Sequence, residues 1–211
     1  MRWKIPLLVF VALIGMATWL GEPATSVEAA DSNPLSAMAQ PQYNDDGALI
    51  RPLDYRKWVF VGSSLGLSYF GKEDPKGPGI FHHIYIQPQA YDHYVETGEF
   101  PEKTMLVMEN YSAGAKGDNT ADGKVEGKQE FKILHGHFED ARVGIEVALK
   151  DSETFGDSWS YFMFNGKDGL LNEAKPFPKS VCWACHDARA ADDNVFVQFY
   201  PILREHYEKR N

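Results

Sequence analysis

The run Cys182-Trp183-Ala184-Cys185-His186, close to the C-terminus, constrains this chain more than any other feature. A Cys-x-x-Cys-His run is the attachment signature of c-type haem, in which both thiols add to the haem vinyl groups and the adjacent imidazole takes an axial position on the iron. The sequence contains 2 cysteines, and this motif uses both. It predicts one covalently bound haem c per chain, attached through Cys182 and Cys185, with His186 as the iron ligand.

Two other interpretations of the motif are a redox-active dithiol and half of a zinc site. Structural zinc takes four ligands, usually supplied as two Cys or His pairs at comparable spacing, and the sequence shows no evident second pair of this kind. Because haem attachment uses both thiols, no disulfide is expected, and packing must hold the fold.

The N-terminal residues predict export from the cytoplasm. A short basic start precedes an uncharged apolar stretch over residues 5–20, and small residues stand before a cleavage point near Ala29 or Ala30. The alternative is an uncleaved membrane anchor, but this stretch contains proline and glycine and is shorter than the roughly 20 residues needed to cross a bilayer. We therefore expect residues 1–30 to be a signal peptide, the mature protein to be periplasmic, and no stable membrane insertion after cleavage.

Charge and composition limit the partners and the number of domains. The formal net charge is -9, which argues against nucleic acid and anionic membranes as partners and favours a basic periplasmic electron-transfer partner. The chain that remains after residue 30 is long enough for one domain with a substantial core. Residues 31–50, rich in Ser, Pro, Gln, Asn and Asp, are expected to form a flexible leader before a single domain over 51–211.

β-branched and aromatic residues predict about six strands. These strands cover residues 58–61, 80–86, 104–111, 131–138, 142–149 and 158–164. Helices are predicted to begin at Pro88, at the haem motif and near Val195, and the glycine-rich stretch 112–128 is expected to be a mobile loop. Strands followed by terminal helices indicate an α+β fold, in which helices pack on an antiparallel β-sheet and a C-terminal helix carries the haem motif.

Several short motifs stand in the same order as in a known family. They occupy residues 56–62, 81–86, 97–101, 182–186, 190–196 and 200–201. On these motifs the chain resembles cytochrome P-460 and its sister group, the cytochromes c′-beta, over almost its entire mature length. The resemblance implies a β-rich fold, a homodimer, His186 as the proximal ligand and an open or weakly occupied distal site. Members of the family oxidise hydroxylamine, bind nitric oxide or handle other small nitrogen species.

One position departs from the family pattern. In cytochrome P-460, the strand after the Phe-Pro turn carries a lysine whose amine is joined covalently to the haem, and the resemblance places Met108 at this position. A thioether has no amine, and Lys103 and Lys116 are out of register, since alternation along a strand points Lys103 away from the face that holds Met108. We expect no lysine–haem cross-link, which weakens the case for hydroxylamine oxidation.

Met108 has three interpretations. We expect it to pack against the haem face, because methionine commonly fills irregular apolar gaps. It could instead be a sulfur ligand to the iron, or a sulfur held close to an open iron without bonding to it. The usual helical cytochromes c carry their methionine ligand downstream of the haem motif, but no methionine follows His186.

The distal side of the haem depends on residues in the predicted strands. Alternation predicts that Arg142, Gly144 and Glu146 share one face. The resemblance implies that Glu146 is a distal carboxylate, which would exchange protons with bound peroxide or hydroxylamine, while Arg142 would stabilise developing negative charge. The alternative is that both are ordinary solvent-facing residues.

Histidines and aspartates near these motifs are further candidates. His82 and His83 are predicted to point to opposite faces, and His82 either approaches the distal pocket as a catalytic group or forms structural hydrogen bonds. Asp192 and Asp193 are interpreted as capping residues or as partners that orient His186 through its other ring nitrogen.

Two classes of function follow. The first is a haem protein with five-coordinate iron that reacts with small ligands: hydrogen peroxide in a peroxidase-like reaction, or nitric oxide by binding, with hydroxylamine oxidation as the alternative that the family suggests. The second is an electron carrier with His186 and Met108 as its axial ligands.

Overall fold

An antiparallel sheet of five strands forms the centre of the fold. The structure, a computed structural model, describes residues 33–67, 79–113, 137–156 and 158–211. Its strands are β1 (Leu49–Ile50), β2 (Val59–Leu65), β3 (Ile80–Ile86), β4 (Met105–Ala113), β5 (Glu139–Lys150), β6 (Trp159–Met163), β7 (Asn165–Gly166), β8 (Gly169–Leu170) and β9 (Glu173–Ala174). The main sheet has the order β2-β3-β4-β5-β6, while β1 pairs with β9 and β7 with β8. All of these pairs are antiparallel.

Four α-helices lie in the described part of the chain. They are α1 (Pro88–Thr97), α2 (Ser152–Phe155), α3 (Trp183–Arg189) and α4 (Pro201–Arg210), with short 3₁₀ turns at Pro34–Ala37, Tyr55–Lys57 and Val197–Phe199. Pro88 and Pro201 stand at the start of α1 and α4, where proline is tolerated because the first helical N–H groups lack intrahelical partners. Gly98 ends α1 in a left-handed conformation with φ of 83°. Sheet and helices together confirm the predicted α+β fold.

The two faces of the main sheet are covered by two separate apolar clusters. We call the face that carries Ile84, Leu106, Ala148 and Tyr161 the motif face, because these side chains pack in one cluster with Cys182 of the haem motif. The opposite face packs against β1 and the 3₁₀ turn at Tyr55–Lys57 through another set of side chains: Tyr85, Met105, Val107, Ile145, Val147 and Phe162. Alternation along each strand assigns successive residues to these two faces.

The segment expected to be a flexible leader is instead part of the fold from residue 33 onward. Met38 and Leu49 are 4% and 0% exposed, and the Tyr43 hydroxyl donates to Asp151 Oδ2 at 2.5 Å. Composition did not predict this packing, because a few well-placed apolar residues are enough to hold a polar segment against the fold. Residues 33–211 form one compact unit. The predicted signal peptide lies outside the described residues.

Most predicted elements correspond to observed ones with small shifts at their ends. The predicted strand over 131–138 and the predicted loop over 112–128 lie largely outside the described residues, although residues 112–113 extend β4. The two-residue strand pairs and α2 were not anticipated, because such short elements carry no periodic signal. Within the described ranges, no helix has both the length and the apolar character required to span a membrane.

Candidate haem site

The haem motif forms the start of α3. Cys182 caps this helix, and its carbonyl accepts hydrogen bonds from the backbone N–H groups of Cys185 and His186 at 3.2 and 3.1 Å. Both thiols are free; Cys182 is half-buried and Cys185 is exposed. One helical turn therefore presents two thiols and an imidazole together, and the chemistry of this donor set fits a covalently attached haem.

The imidazole of His186 is held in a defined orientation. Its Nδ1 lies 2.7 Å from the carbonyl oxygen of Asn194, and the ring packs between Tyr161 and Phe196 with centroid separations of 4.5 and 4.6 Å. Because a carbonyl only accepts, Nδ1 carries the proton, and the Nε2 lone pair is left for a metal. Burial lowers the pKa of His186, which also favours the neutral form that binds metal.

A tight turn presents the Asn194 carbonyl to His186. The backbone N–H of Val195 donates to Asp192 O at 2.7 Å, and Asp193 and Asn194 both have positive φ, of 40° and 59°. Two successive residues of this kind are typical of a type I′ turn, and Asp and Asn tolerate it better than most residues. The turn explains why this carbonyl points out of the chain toward the imidazole.

Side chains from three distant elements hold the same turn. Lys150 Nζ of β5 donates to Asp193 Oδ2 at 2.8 Å, while the Tyr94 hydroxyl of α1 and Arg210 Nη2 of α4 donate to Asp192 Oδ2 at 2.9 and 3.0 Å. The two aspartates thus fix the turn, and a backbone carbonyl orients His186. One of the two interpretations of these aspartates, a carboxylate contact with the imidazole, is wrong: Nδ1 of His186 faces the Asn194 carbonyl, and both carboxylates are bonded to other side chains.

Asn194→Ala is expected to lower the free energy of unfolding by about 1 kcal/mol, because alanine pays a steric penalty in the left-handed conformation. Asn194→Gly is the matched control and should change stability by less than about 0.5 kcal/mol, since glycine adopts positive φ freely. Denaturant unfolding of the haem-loaded protein measures both. Equal stability of the two variants would contradict a backbone role for this residue.

Glu146 and Met108 lie side by side on the motif face. In the register of the sheet, Met108 stands opposite both Ile84 and Glu146, and directly opposed residues of antiparallel strands share a face. Burial and the nearby charge of Glu146 raise the pKa of the Cys182 thiol. Cys182 packs against the apolar cluster on the same face of the sheet.

The carboxylate of Glu146 is half-buried and has a specific partner. Asn110 Nδ2 donates to Glu146 Oε1 at 3.1 Å. Burial raises the pKa of Glu146, and the hydrogen bond from Asn110 only partly opposes this shift. A carboxyl group whose pKa is displaced toward neutrality is suited to exchange protons.

Arg142 does not share a face with Glu146, so that prediction is wrong. Gly144 stands opposite Asn110, but Arg142 stands opposite Tyr111, so two steps along β5 match one step along β4. This β-bulge inserts one extra residue and reverses the alternation beyond it. Arg142 Nη1 lies 3.6 Å from Glu109 Oε1 instead, on the opposite face of the sheet.

His82 lies on the motif face in the row next to Met108. It stands opposite Ser64 of β2 and Asn110 of β4, it is 4% exposed, and burial lowers its pKa. His83 has the other orientation, with Nε2 2.7 Å from Glu139 Oε1. His82 is therefore placed on the same face as Glu146, and its catalytic role stays a prediction.

Lys103 is directed away from the motif face. Its Nζ pairs with Asp151 Oδ1 at 2.5 Å and with Glu153 Oε2 at 3.4 Å. An amine committed to two carboxylates near α2 is not available for a cross-link at the position of Met108. Lys116 lies outside the described residues.

Sequence reasoning missed two residues of this site. Asn194 supplies the carbonyl for His186, and the Asp-Asp-Asn-Val sequence at 192–195 carried a signal for it, because Asp and Asn are favoured in type I′ turns. Asn110 supplies the donor to Glu146 and stands two residues after Met108, so alternation places both on one face. Asn110 could have been identified only from its hydrogen bond to Glu146 on the neighbouring strand, which local sequence does not reveal.

Fold and site together define a c-type haem protein built on an antiparallel sheet, with its attachment motif on a late helix. Residues 52–197 match the sequence model of the family Cytochrome P460, and this match covers well over half of the chain. The chain therefore belongs to the cytochrome P460 family and is a haem c protein of the oxidoreductase class. No curated protein matches the chain.

Proposed function

We propose that this is a periplasmic protein with one haem c per chain and five-coordinate iron, and that its open distal pocket reacts with small ligands. Hydrogen peroxide in a peroxidase-like reaction and binding of nitric oxide are the two reactions we favour. The observation that carries the proposal is the half-buried carboxylate of Glu146, which lies on the motif face beside Met108. A partly buried carboxylate in this position is suited to exchange protons with a ligand, unlike an ordinary carboxylate that faces the solvent.

The residues divide between holding the haem and handling protons. Cys182 and Cys185 would hold the haem through thioethers, and His186 would bind the iron through Nε2. When bound, haem supplies a redox-active iron that takes up the small ligand. Asn110 binds Glu146 at Oε1, so we assign proton exchange to Oε2, where the carboxylate accepts a proton from the ligand and returns it to a departing oxygen.

Hydroxylamine oxidation is the alternative that the family suggests. We rank it lower because the resemblance assigns Met108 to the position of the family's cross-linking lysine, and because the Lys103 amine is paired with Asp151. The electron carrier is the second alternative, since Met108 lies on the same face of the sheet as the cluster that contains Cys182, and its sulfur is a possible second ligand to the iron. These alternatives differ in the coordination of the iron, which is directly measurable.

Met108→Leu is expected to leave the ferric protein high-spin, as judged by electronic absorption and electron paramagnetic resonance. Leucine preserves volume and apolar character but removes the sulfur, so a packing residue tolerates the change. Met105→Leu is the matched control, because Met105 is 2% exposed and belongs to the cluster on the opposite face. A low-spin wild type that becomes high-spin only in Met108→Leu would establish the electron carrier and reject the open pocket.

We propose a periplasmic location and a basic electron-transfer partner. Haem c attachment outside the cytoplasm and the N-terminal signal-like segment support a periplasmic protein, and the net charge of -9 favours a basic electron-transfer partner. We also propose a homodimer, as the family suggests. Phe60 and Leu65 on the edge strand β2 are 49% and 42% exposed, which offers apolar surface for a second copy.

A further inference from the structure

A buried acceptor lies unused next to the proposed proton-transfer group. Asn110 is 6% exposed, and its Nδ2 donates to Glu146, but its Oδ1 has no hydrogen-bond partner among the residues that the structure describes. Leaving a buried polar atom unsatisfied costs about 1–3 kcal/mol. Because native proteins seldom retain such atoms, this acceptor is suited to a hydrogen bond from a bound ligand.

The chemistry of Glu146 fixes which way the Asn110 amide faces. The NH₂ end of the amide donates to Glu146 Oε1, as suits an ionised carboxylate, so the carbonyl end of the amide points away from that oxygen. Asn110 lies in a row of polar side chains that crosses the motif face and includes His82 and Ser64. The hydroxyl oxygen of Ser64 is also buried without a hydrogen-bond partner in the described ranges. This row lines the same side of the sheet as Glu146.

Two acceptor atoms therefore lie on neighbouring side chains of the motif face: Asn110 Oδ1, and the Glu146 oxygen that Asn110 does not bind. Acceptors stabilise ligands that carry hydrogen on nitrogen or oxygen, such as hydroxylamine and hydrogen peroxide. Nitric oxide carries no hydrogen and gains nothing from an acceptor. The two acceptors therefore favour hydrogen peroxide and hydroxylamine over nitric oxide, which the proposed function does not separate.

We infer that Asn110 is a specificity-determining residue, whose Oδ1 accepts a hydrogen bond from the ligand and makes the pocket favour hydrogen-bearing ligands over nitric oxide. The inference rests on the proposed function, since it requires an open distal pocket on the motif face.

The test compares two ligands on the purified ferric holoprotein, using anaerobic absorption titrations with hydroxylamine and with nitric oxide. Asn110→Leu keeps the approximate shape of the side chain and removes the acceptor. It should raise the dissociation constant of hydroxylamine about tenfold, the equivalent of one hydrogen bond, and change that of nitric oxide less than about twofold. Asn110→Ala carries the same comparison if the leucine variant does not fold.

A second background separates a direct contact from an effect through Glu146. In Glu146→Leu protein, Asn110→Leu should still weaken hydroxylamine about tenfold, because the acceptor acts on the ligand itself. Leucine is used at position 146 because a glutamine amide could itself donate to Asn110 Oδ1.

Equal losses for hydroxylamine and nitric oxide, or an effect that vanishes in the Glu146→Leu background, would overturn the role of Asn110 alone. Failure of the wild-type protein to bind either ligand would overturn the open pocket, and the inference with it.

Discussion

Glu146→Gln will lower the rate of peroxide turnover by about 10²- to 10⁴-fold at neutral pH while haem attachment stays complete, because an amide cannot accept and return the proton. In the wild type, burial raises the pKa of Glu146. The ionised form is the proton acceptor, so the rate should fall as the pH drops through this raised pKa. Steady-state turnover with a reducing dye, measured against pH, tests both statements.

Glu139→Gln is the matched control for this experiment. Glu139 lies on the same strand as Glu146, but its side chain is 50% exposed and contacts His83. Its removal should leave peroxide turnover within about twofold of wild type, because an exposed carboxylate outside the pocket takes no part in proton transfer. A Glu146→Gln protein that keeps the wild-type rate and its acid limb would remove the carboxylate from the mechanism.

Arg56→Met will lower the free energy of unfolding by about 3 kcal/mol, because it leaves a buried carboxylate with too few partners. Glu109, on the opposite face of the sheet, is 1% exposed and accepts hydrogen bonds from both Nε and Nη2 of Arg56. The Tyr111 hydroxyl at 2.9 Å and Arg142 at 3.6 Å remain as partial compensation. Denaturant unfolding of the holoprotein measures the loss.

The control is the neighbouring residue. Lys57→Met breaks an ion pair with Asp54 whose side chains are 80% and 77% exposed, and such pairs contribute less than about 1 kcal/mol. A large effect at position 56 with almost none at position 57 would show that burial of the partner, rather than charge alone, determines stability here.

Acid provides a second test of the same contact. Burial by itself would raise the pKa of Glu109, but hydrogen bonds from Arg56, Tyr55 and Tyr111 lower it overall. A folded-state pKa below the unfolded value of about 4.3 stabilises the fold above that pH, and this contribution is lost as the pH falls through the folded-state pKa. The stability difference between wild type and Arg56→Met should therefore shrink on acidification, and a constant difference would contradict this account.

The haem motif and the strands were predictable from sequence because their signals are local. Cys182, Cys185 and His186 follow one another on a single turn, and β-branched and aromatic residues mark β3 and β4. The β-bulge was not predictable, because residues 142–148 continue to alternate and only their pairing with β4 reveals the extra residue. The predicted shared face of Arg142 and Glu146 was therefore wrong, while the distal role of Glu146 stays a prediction.

The other differences have the same origin in long-range contacts. Residues 33–50 appear polar, yet Leu49 is completely buried because β1 pairs with β9, over 120 residues later in the chain. The carbonyl of Asn194 also could not be identified as part of the site from sequence, because only the folded turn brings it next to His186. Local pattern identifies the groups that carry chemistry, whereas pairing between distant segments decides which of them meet.

The turn at residues 192–195 links the metal-binding imidazole to the far end of the polypeptide. Arg210, in the last turn of α4, grips the same aspartate as Tyr94, so the final helix helps to set how strongly the Asn194 oxygen pulls on the Nδ1 proton. In the haem-loaded protein, this hydrogen bond would tune the electron density that the imidazole gives to the iron. Substitutions in α4 would then alter the redox properties of the iron without touching the residues that bind it.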